Sequence, residues 1–147
     1  MRLQSAIFYL EDTLLVDGEE AKNAEKVLSI LKMEGVWMAA VSAMEREKAE
    51  KELRLRGLLS PLRLLLVSKE ACVAIDSGEL LLKAVRRLRA ELRDTVVFCS
   101  NVWQIETAAR AGFRTVAVKN AANASEWETL KICATEAIEG YEDLLED

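Results

Sequence analysis

Residues 95–118 read TVVFCSNVWQIETAARAGFRTVAV, with two apolar segments on either side of one amphipathic segment. The segments 95–99 and 113–118 are short and almost continuously apolar, which is typical of strands that are buried on both faces. Residues 102–111 predict a helix, which Gly112 ends. Buried strands that alternate with helices indicate a parallel sheet covered by helices on both faces.

The same alternation extends through the rest of the chain. Apolar runs predict three further strands, at 6–10, 36–41 and 62–67. Helical spacing predicts helices over 19–34, 42–56 and 79–92, the second opened by a capping box from Ser42 to Glu45. A second capping box, Ser125 to Glu128, precedes a helix or a short edge strand near Ile132, and a short helix follows. We therefore expect one α/β domain over 1–147, a three-layer, doubly wound, Rossmann-like parallel sheet.

The composition excludes several classes of function. The chain has 147 residues, a formal net charge of −5 and no histidine. Without histidine, no Ser–His–Asp or Cys–His nucleophile and no imidazole metal ligand can form. The acidic balance disfavours nucleic-acid binding, and no apolar run approaches the ~20 residues of a membrane span.

The N terminus and the cysteines indicate the compartment. We find no secretory signal in the opening residues, since they lack a small-residue cleavage pattern. Cys72, Cys99 and Cys133 are widely spaced and odd in number, which favours reduced core thiols over a disulfide framework. Together these features predict a cytoplasmic protein.

Ligands of doubly wound sheets bind at the carboxyl ends of the strands, which here are 10–17, 42–44, 68–76 and 99–104. The first of these follows a strand and reads FYLEDTLL over 8–15. With Ser42 at the end of the next strand and IETAARAGFRTVAV over 105–118, this order resembles the haloacid-dehalogenase-like hydrolases. The resemblance implies a capless member, because the segments that carry a lid in many relatives are short here.

The resemblance also implies a defined chemistry. In that family a carboxylate nucleophile accepts a phosphoryl group, and a second carboxylate two residues later acts as acid and base. A Mg²⁺ ion held by carboxylates neutralises the phosphate, while a lysine and a Ser or Thr hydroxyl hold its oxygens. The family's opening motif is Asp-x-Asp-Gly-Thr-Leu.

Most positions of that machinery carry other residue types in this chain. Thr13, Leu14 and Ser42 match the residues of the family. In the opening motif, Tyr9 replaces the nucleophile, Glu11 replaces the second carboxylate and Asp12 replaces the glycine. At the later motifs, Ile75 or Asp76 replaces the lysine, and Ser100 replaces a metal carboxylate. Lys69 and Lys83 lie nearby in sequence but do not match the motif. We therefore expect no catalytic residue to be retained, and no cofactor.

Three hypotheses follow. The first is a pseudoenzyme, a binding or assembly protein without catalytic activity. The alternative is an active Mg²⁺-dependent phosphohydrolase or phosphotransferase that uses Glu11 or Asp12, which are the candidate metal ligands. The third is a sensor that binds a small anion at Ser42, where an anion contact and a helix-capping role are equally compatible with the sequence. Since capless relatives often cover their sites with a neighbouring subunit, we expect a homo-oligomer or a protein partner.

Several residues also have purely structural interpretations, which we favour. Tyr9 fits a strand-core aromatic, Cys99 a buried thiol, and Ser100 with Asn101 a cap for the helix that begins at Val102. The cations of the helix over 79–92 and of the turn beyond it, which are Lys83, Arg86, Arg87, Arg89 and Arg93, fit a solvated outer face better than a nucleic-acid site.

Overall fold

A six-stranded parallel sheet forms the centre of the computed structural model, which describes residues 3–145. In chain order the strands are β1 (Ser5–Tyr9), β2 (Leu15–Val16), β3 (Glu19–Glu20), β4 (Trp37–Ser42), β5 (Leu64–Val67), β6 (Thr95–Cys99), β7 (Arg114–Val118) and β8 (Glu136–Ile138). The sheet order is β5-β4-β1-β6-β7-β8, and β2 pairs with β3 in a separate hairpin. The order reverses between β1 and β6, so the crevice typical of doubly wound folds lies there.

Helices cover both faces of the sheet. They are α1 (Ala24–Met33), α2 (Arg46–Leu55), α3 (Ser68–Ala71), α4 (Gly78–Arg87), α5 (Val102–Arg110) and α6 (Trp127–Cys133), with 3₁₀ turns at Leu92–Asp94, Ala124–Glu126 and Tyr141–Leu145. In the described part of the chain, no helix is long and apolar enough to cross a membrane. The predicted three-layer α/β architecture is confirmed.

Alternation along β1 divides the core into two layers. Phe8 faces the layer of α1 and α2, where its ring stacks on that of Phe98 with 4.6 Å between centroids. Tyr9 faces the other layer, which α4, α5 and α6 complete. All five residues of β1 are buried because β4 and β6 flank the strand and helices cover both its faces.

The predicted helix over 19–34 is wrong in its first turn. Glu19 and Glu20 form β3, which pairs with β2 around a two-residue turn, and the helix begins only at Ala24. Asp17 and Gly18 have φ values of 53° and 79° in that turn. Two central residues with positive φ are the geometry of a tight hairpin, and Asp-Gly is its typical sequence. Glu19 and Glu20 also match the acidic residues that are common in the first turn of a helix, which is why the sequence predicts a helix start there.

Both predicted capping boxes are wrong. Helix α2 begins at Arg46 rather than after Ser42, whose hydroxyl belongs to the site described below. Helix α6 follows a 3₁₀ turn and has no side-chain cap, and Ile132 lies in this helix with an exposed fraction of 84%. The edge strand comes later, at Glu136–Ile138.

The cysteines differ in their environments. Cys99 is fully buried in β6, as expected, but Cys72 and Cys133 are exposed. The prediction of three core thiols is therefore wrong for these two. Cys72 follows α3, which has no buried residue, and Cys133 is the last residue of α6, beyond the buried Trp127 and Leu130.

Candidate functional site

The residues that the sequence singles out meet at the carboxyl edge of the sheet. Tyr9 and Ser42 are the last residues of β1 and β4, and Ser100 directly follows β6. Because β1 lies between β4 and β6, the loop over 10–14 contacts both neighbouring strand ends. Parallel pairing thus places Glu11, Thr13 and Ser100 around the point where the strand order reverses.

Tyr9 extends into the apolar layer rather than into solvent. It is 1% exposed, and its ring makes an edge contact with Trp103 at 5.4 Å between centroids. Burial raises the pKa of the Tyr9 phenol, and Cys99 and Asp76 raise it further. Its hydroxyl is buried and has no hydrogen-bond partner within residues 3–145. The side chain at the nucleophile position is therefore a neutral phenol.

Glu11 binds the groups at the end of β4. Its Oε2 accepts hydrogen bonds from the Ser42 hydroxyl at 3.1 Å and from the Ala43 backbone N–H at 2.7 Å. Ser42 Oγ in turn accepts from the Met44 backbone N–H at 3.0 Å. Hydrogen bonds to a charged carboxylate are stronger than neutral ones, so this arrangement holds Glu11 against β4. A side-chain anion thus occupies the Ser42 hydroxyl, the group that the resemblance assigns to phosphate.

Asp12 has a left-handed backbone with φ 70°. The resemblance has glycine at this position, and aspartate is among the few other residues that tolerate the conformation. The Asp12 carbonyl accepts from Asn120 Nδ2 at 3.2 Å, and its exposed carboxylate accepts from Asn101 Nδ2 at 3.4 Å. Asp12 thus preserves the turn of the motif with a different side chain.

Neutral polar groups fill the crevice between β1 and β6. Ser100 Oγ donates to Thr13 Oγ1 at 3.0 Å, and Thr13 Oγ1 donates to Gln104 Oε1 at 3.2 Å. Gln104 Oε1 also accepts from the Ser100 N–H at 2.8 Å, while its Nε2 donates to the Glu11 carbonyl at 3.0 Å. One buried amide therefore joins both loops.

Sequence reasoning missed the role of Gln104. The signal was a polar residue on the inward face of α5, three positions after the helix cap Asn101, whose Oδ1 accepts from the Gln104 N–H at 3.0 Å. This contact confirms the predicted cap at Asn101. Sequence reasoning also missed Asn123, whose Nδ2 donates to the carbonyls of Ser100 and Val118, each at 2.9 Å.

Neither residue near the lysine position is basic. Ile75 packs against the apolar layer, and Asp76 is exposed but close enough to raise the pKa of Tyr9. Lys69, on α3, forms an ion pair with Glu45 at the surface. Neither Ile75 nor Asp76 therefore offers a cation to an anion at the end of β1.

The oxygen atoms available as ligands at the crevice do not fit a Mg²⁺ site. Mg²⁺ requires near-octahedral oxygen ligands and is usually held through one or two carboxylates. One oxygen of Glu11 is bound by Ser42 and Ala43, and the nearest groups across the crevice are the amide of Gln104 and two hydroxyls. Residues 3–145 contain no group of three or more His, Cys, Asp or Glu side chains placed to hold a metal.

No family model and no curated protein matches this sequence. Solved structures do resemble its fold. A dehalogenase with an intermediate complex has a TM-score of 0.73 at 22% identity, covering 85% of this chain and 54% of its own. A β-phosphoglucomutase from Clostridium difficile has a TM-score of 0.70 at 17% identity, and the match covers 86% of this chain and 52% of the mutase. A haloacid-dehalogenase-superfamily hydrolase from Geobacter sulfurreducens has a TM-score of 0.69 at 17% identity, and the match covers 86% of this chain and 60% of the hydrolase.

The chain has the haloacid-dehalogenase fold. Identities of this size show the fold alone, and the chain spans only 52% to 60% of the length of the three structures compared. Any activity therefore depends on the residues at the carboxyl edge and does not follow from the fold.

We predict that Gln104→Leu destabilises the protein by about 2–5 kcal/mol, because it leaves the buried Ser100 N–H and Glu11 carbonyl without partners. Urea denaturation followed by circular dichroism measures the change. Glu106→Leu, on the exposed face of the same helix, is the matched control and should remain within about 0.5 kcal/mol of the parent. An equal loss in both variants would contradict the role of the Gln104 amide.

The two buried tyrosines should respond in opposite directions to loss of the hydroxyl. Tyr9→Phe removes a hydroxyl with no partner in the described chain, so we expect unchanged stability or a gain of up to about 1 kcal/mol. Tyr141→Phe removes a donor to the Thr13 carbonyl at 2.9 Å and should cost about 1 kcal/mol or more. Thermal unfolding of the two variants distinguishes them, and similar losses would mean that the Tyr9 hydroxyl is bonded.

Proposed function

We propose that this chain is a binding or assembly protein with the haloacid-dehalogenase fold and without phosphoryl-transfer activity. One observation carries the proposal: the Glu11 carboxylate occupies the Ser42 hydroxyl and the Ala43 N–H. In the chemistry that the resemblance implies, the hydroxyl would hold an oxygen of the substrate. Here the protein satisfies it with its own anion.

The internal anion competes directly with any phosphate. Glu11 is tethered two residues beyond the end of β1, so it rebinds Ser42 without loss of translational freedom. An incoming phosphate would also face Asp12 and Asp76. Two unit charges at 4 Å repel by about 1 kcal/mol in water and about 4 kcal/mol at the effective dielectric of a protein surface. The tether and the charge repulsion both favour the arrangement in which Glu11, rather than phosphate, binds Ser42.

Tyr9 and the crevice support the same proposal. A buried phenol with a raised pKa offers no anionic oxygen for attack on phosphorus. The neutral network around Gln104 supplies no negative charge that would hold a divalent cation. Nucleophile, metal ligands and anchoring lysine act on one transferring group, so a single neighbouring substitution does not restore them.

A second candidate function is an active Mg²⁺-dependent phosphohydrolase that uses displaced carboxylates. Its support is a surface cavity of about 520 Å³, which Glu11, Asp12 and Lys48 help to line. The Glu11 Oε1 atom is buried and has no hydrogen-bond partner in the described residues, so a ligand could satisfy it. This candidate requires that Glu11 and Asp12 together replace the missing carboxylates.

We predict that Glu11→Ala opens an anion site that the parent protein keeps closed. With inorganic phosphate at ten times its dissociation constant, binding should stabilise the variant by about 1.4 kcal/mol, whereas the parent should show no shift in thermal unfolding. Glu11→Gln is the matched control, because its amide oxygen still accepts from Ala43. Glu11→Ala/Ser42→Ala should lose the response. A phosphate response in the parent would contradict the internal anion.

A phosphatase assay with Mg²⁺ and a broad panel of phosphomonoesters tests the proposed function itself. We expect no turnover that survives extensive purification. Turnover that persists in the parent, and disappears in Glu11→Gln/Asp12→Asn, would establish the second candidate instead.

A further inference from the structure

The outer face of α4 and the turn beyond it form a basic patch, defined by Lys83, Arg86, Arg87, Arg89 and Arg93. Four of the five are exposed and Lys83 is half-buried. Within residues 3–145, only Arg93 has a carboxylate in ion-pair range, Glu91 at 3.4 Å. The other four cations of the patch have no carboxylate in ion-pair range in the described residues, although the chain has a net charge of −5.

Arg89 occupies a backbone conformation that favours glycine. Its φ is 57°, and the Ala90 N–H donates to the Val85 carbonyl at 3.1 Å, as at a helix end with a left-handed residue. The Arg89 side chain has no hydrogen bond or ion pair within the described residues. A cation thus stands at a strained backbone position without a polar partner in the described residues.

A complementary surface lies elsewhere on the same chain. A hollow of about 450 Å³ is lined in part by Glu19, Glu20, Glu139 and Glu142, against two lysines, Lys22 and Lys119. Lys119 is itself paired with Glu139 at 3.5 Å. We call this surface the acidic hollow.

The two surfaces lie at opposite edges of the sheet. The hollow is built from segments that follow β1, β7 and β8, so it belongs to the carboxyl edge. Helix α4 returns from the carboxyl end of β5 toward the amino end of β6, because these strands are parallel. Its last turn and Arg89 therefore lie at the amino edge. The acidic hollow thus lies at the carboxyl edge, whereas the end of the basic patch lies at the amino edge.

We infer that the basic patch of one copy of this chain docks on the acidic hollow of a second copy, head to tail. Charge complementarity between the two surfaces favours this occupant over a nucleic acid, which the net charge of −5 and the carboxyl edge would repel. Such a contact joins different surfaces, so it closes into a ring or continues as a chain. The inference rests on the proposed function, since it supplies the contact for an assembly role.

A charge swap tests the contact by sedimentation velocity. The parent should self-associate, with a dissociation constant that rises about tenfold between 50 mM and 500 mM NaCl. Arg86→Glu/Arg87→Glu and Glu19→Lys/Glu139→Lys should each weaken self-association about tenfold or more. An equimolar mixture of the two variants should restore it, because each reversed surface then meets a complementary one.

Lys26→Glu/Lys51→Glu is the matched control. Both lysines are exposed on α1 and α2, and the substitution changes the charge as much as the arginine variant does. It should associate like the parent, and circular dichroism confirms that every variant folds. A monomeric parent overturns the inference, whether or not its basic patch binds a single-stranded RNA oligonucleotide. Variants that fail to recover self-association in the mixture also overturn it.

These outcomes separate the inference from the proposed function. A parent that is monomeric and shows no phosphatase turnover overturns the head-to-tail contact alone. A parent that associates and hydrolyses phosphomonoesters overturns the proposed function and leaves the contact in place.

Arg89 provides a second test with two opposing readouts. Arg89→Gly should raise the melting temperature by a few degrees, because glycine relieves the left-handed backbone, and should weaken self-association several-fold. Arg89→Lys, the matched control, keeps the cation and should change neither value appreciably. A higher melting temperature with unchanged association would show that Arg89 takes no part in the contact.

Discussion

The hydrogen bonds from Ser42 and Ala43 to the Glu11 carboxylate hold the loop after β1 against the end of β4. Through the Glu11 carbonyl, the same residue is tied to Gln104 on the other side of β1. The loop is therefore held from both neighbouring strands, and the amide and hydroxyl groups of the crevice bond to one another. Within residues 3–145, the Tyr9 hydroxyl and Glu11 Oε1 are the buried polar atoms of this site that lack a hydrogen-bond partner.

Much of the fold follows from the sequence because its cause is local. The apolar run over 95–99, the helix after it and the strand before Lys119 can each be recognised from a few consecutive residues. The hairpin at Asp17 and Gly18 was equally local, but two acidic residues after it imitate a helix start. Competing local signals, rather than long-range packing, account for that error.

The site was less predictable because its contacts are distant in sequence. The sequence identifies Tyr9, Glu11 and Ser100 as positions that differ from the motif, yet it does not show where their side chains point. The contact between Ser42 and Glu11 spans 31 positions, and that between Thr13 and Gln104 spans 91. Spacing rules for capping boxes cannot anticipate such partners, so the sequence alone pairs Ser42 with Glu45 or with a bound anion, and not with Glu11.

One electrostatic field connects the two proposals. Carboxylates at the carboxyl edge, among them Glu11 and Asp12, disfavour a phosphate dianion there. The same sign of charge favours a cationic surface, and the chain carries one at its other edge. A cationic surface that docks on the acidic hollow would meet Glu19, Glu20, Glu139 and Glu142, which lie at the same edge as the crevice. The two proposals therefore depend on negative charge at one edge of the sheet, although through different residues.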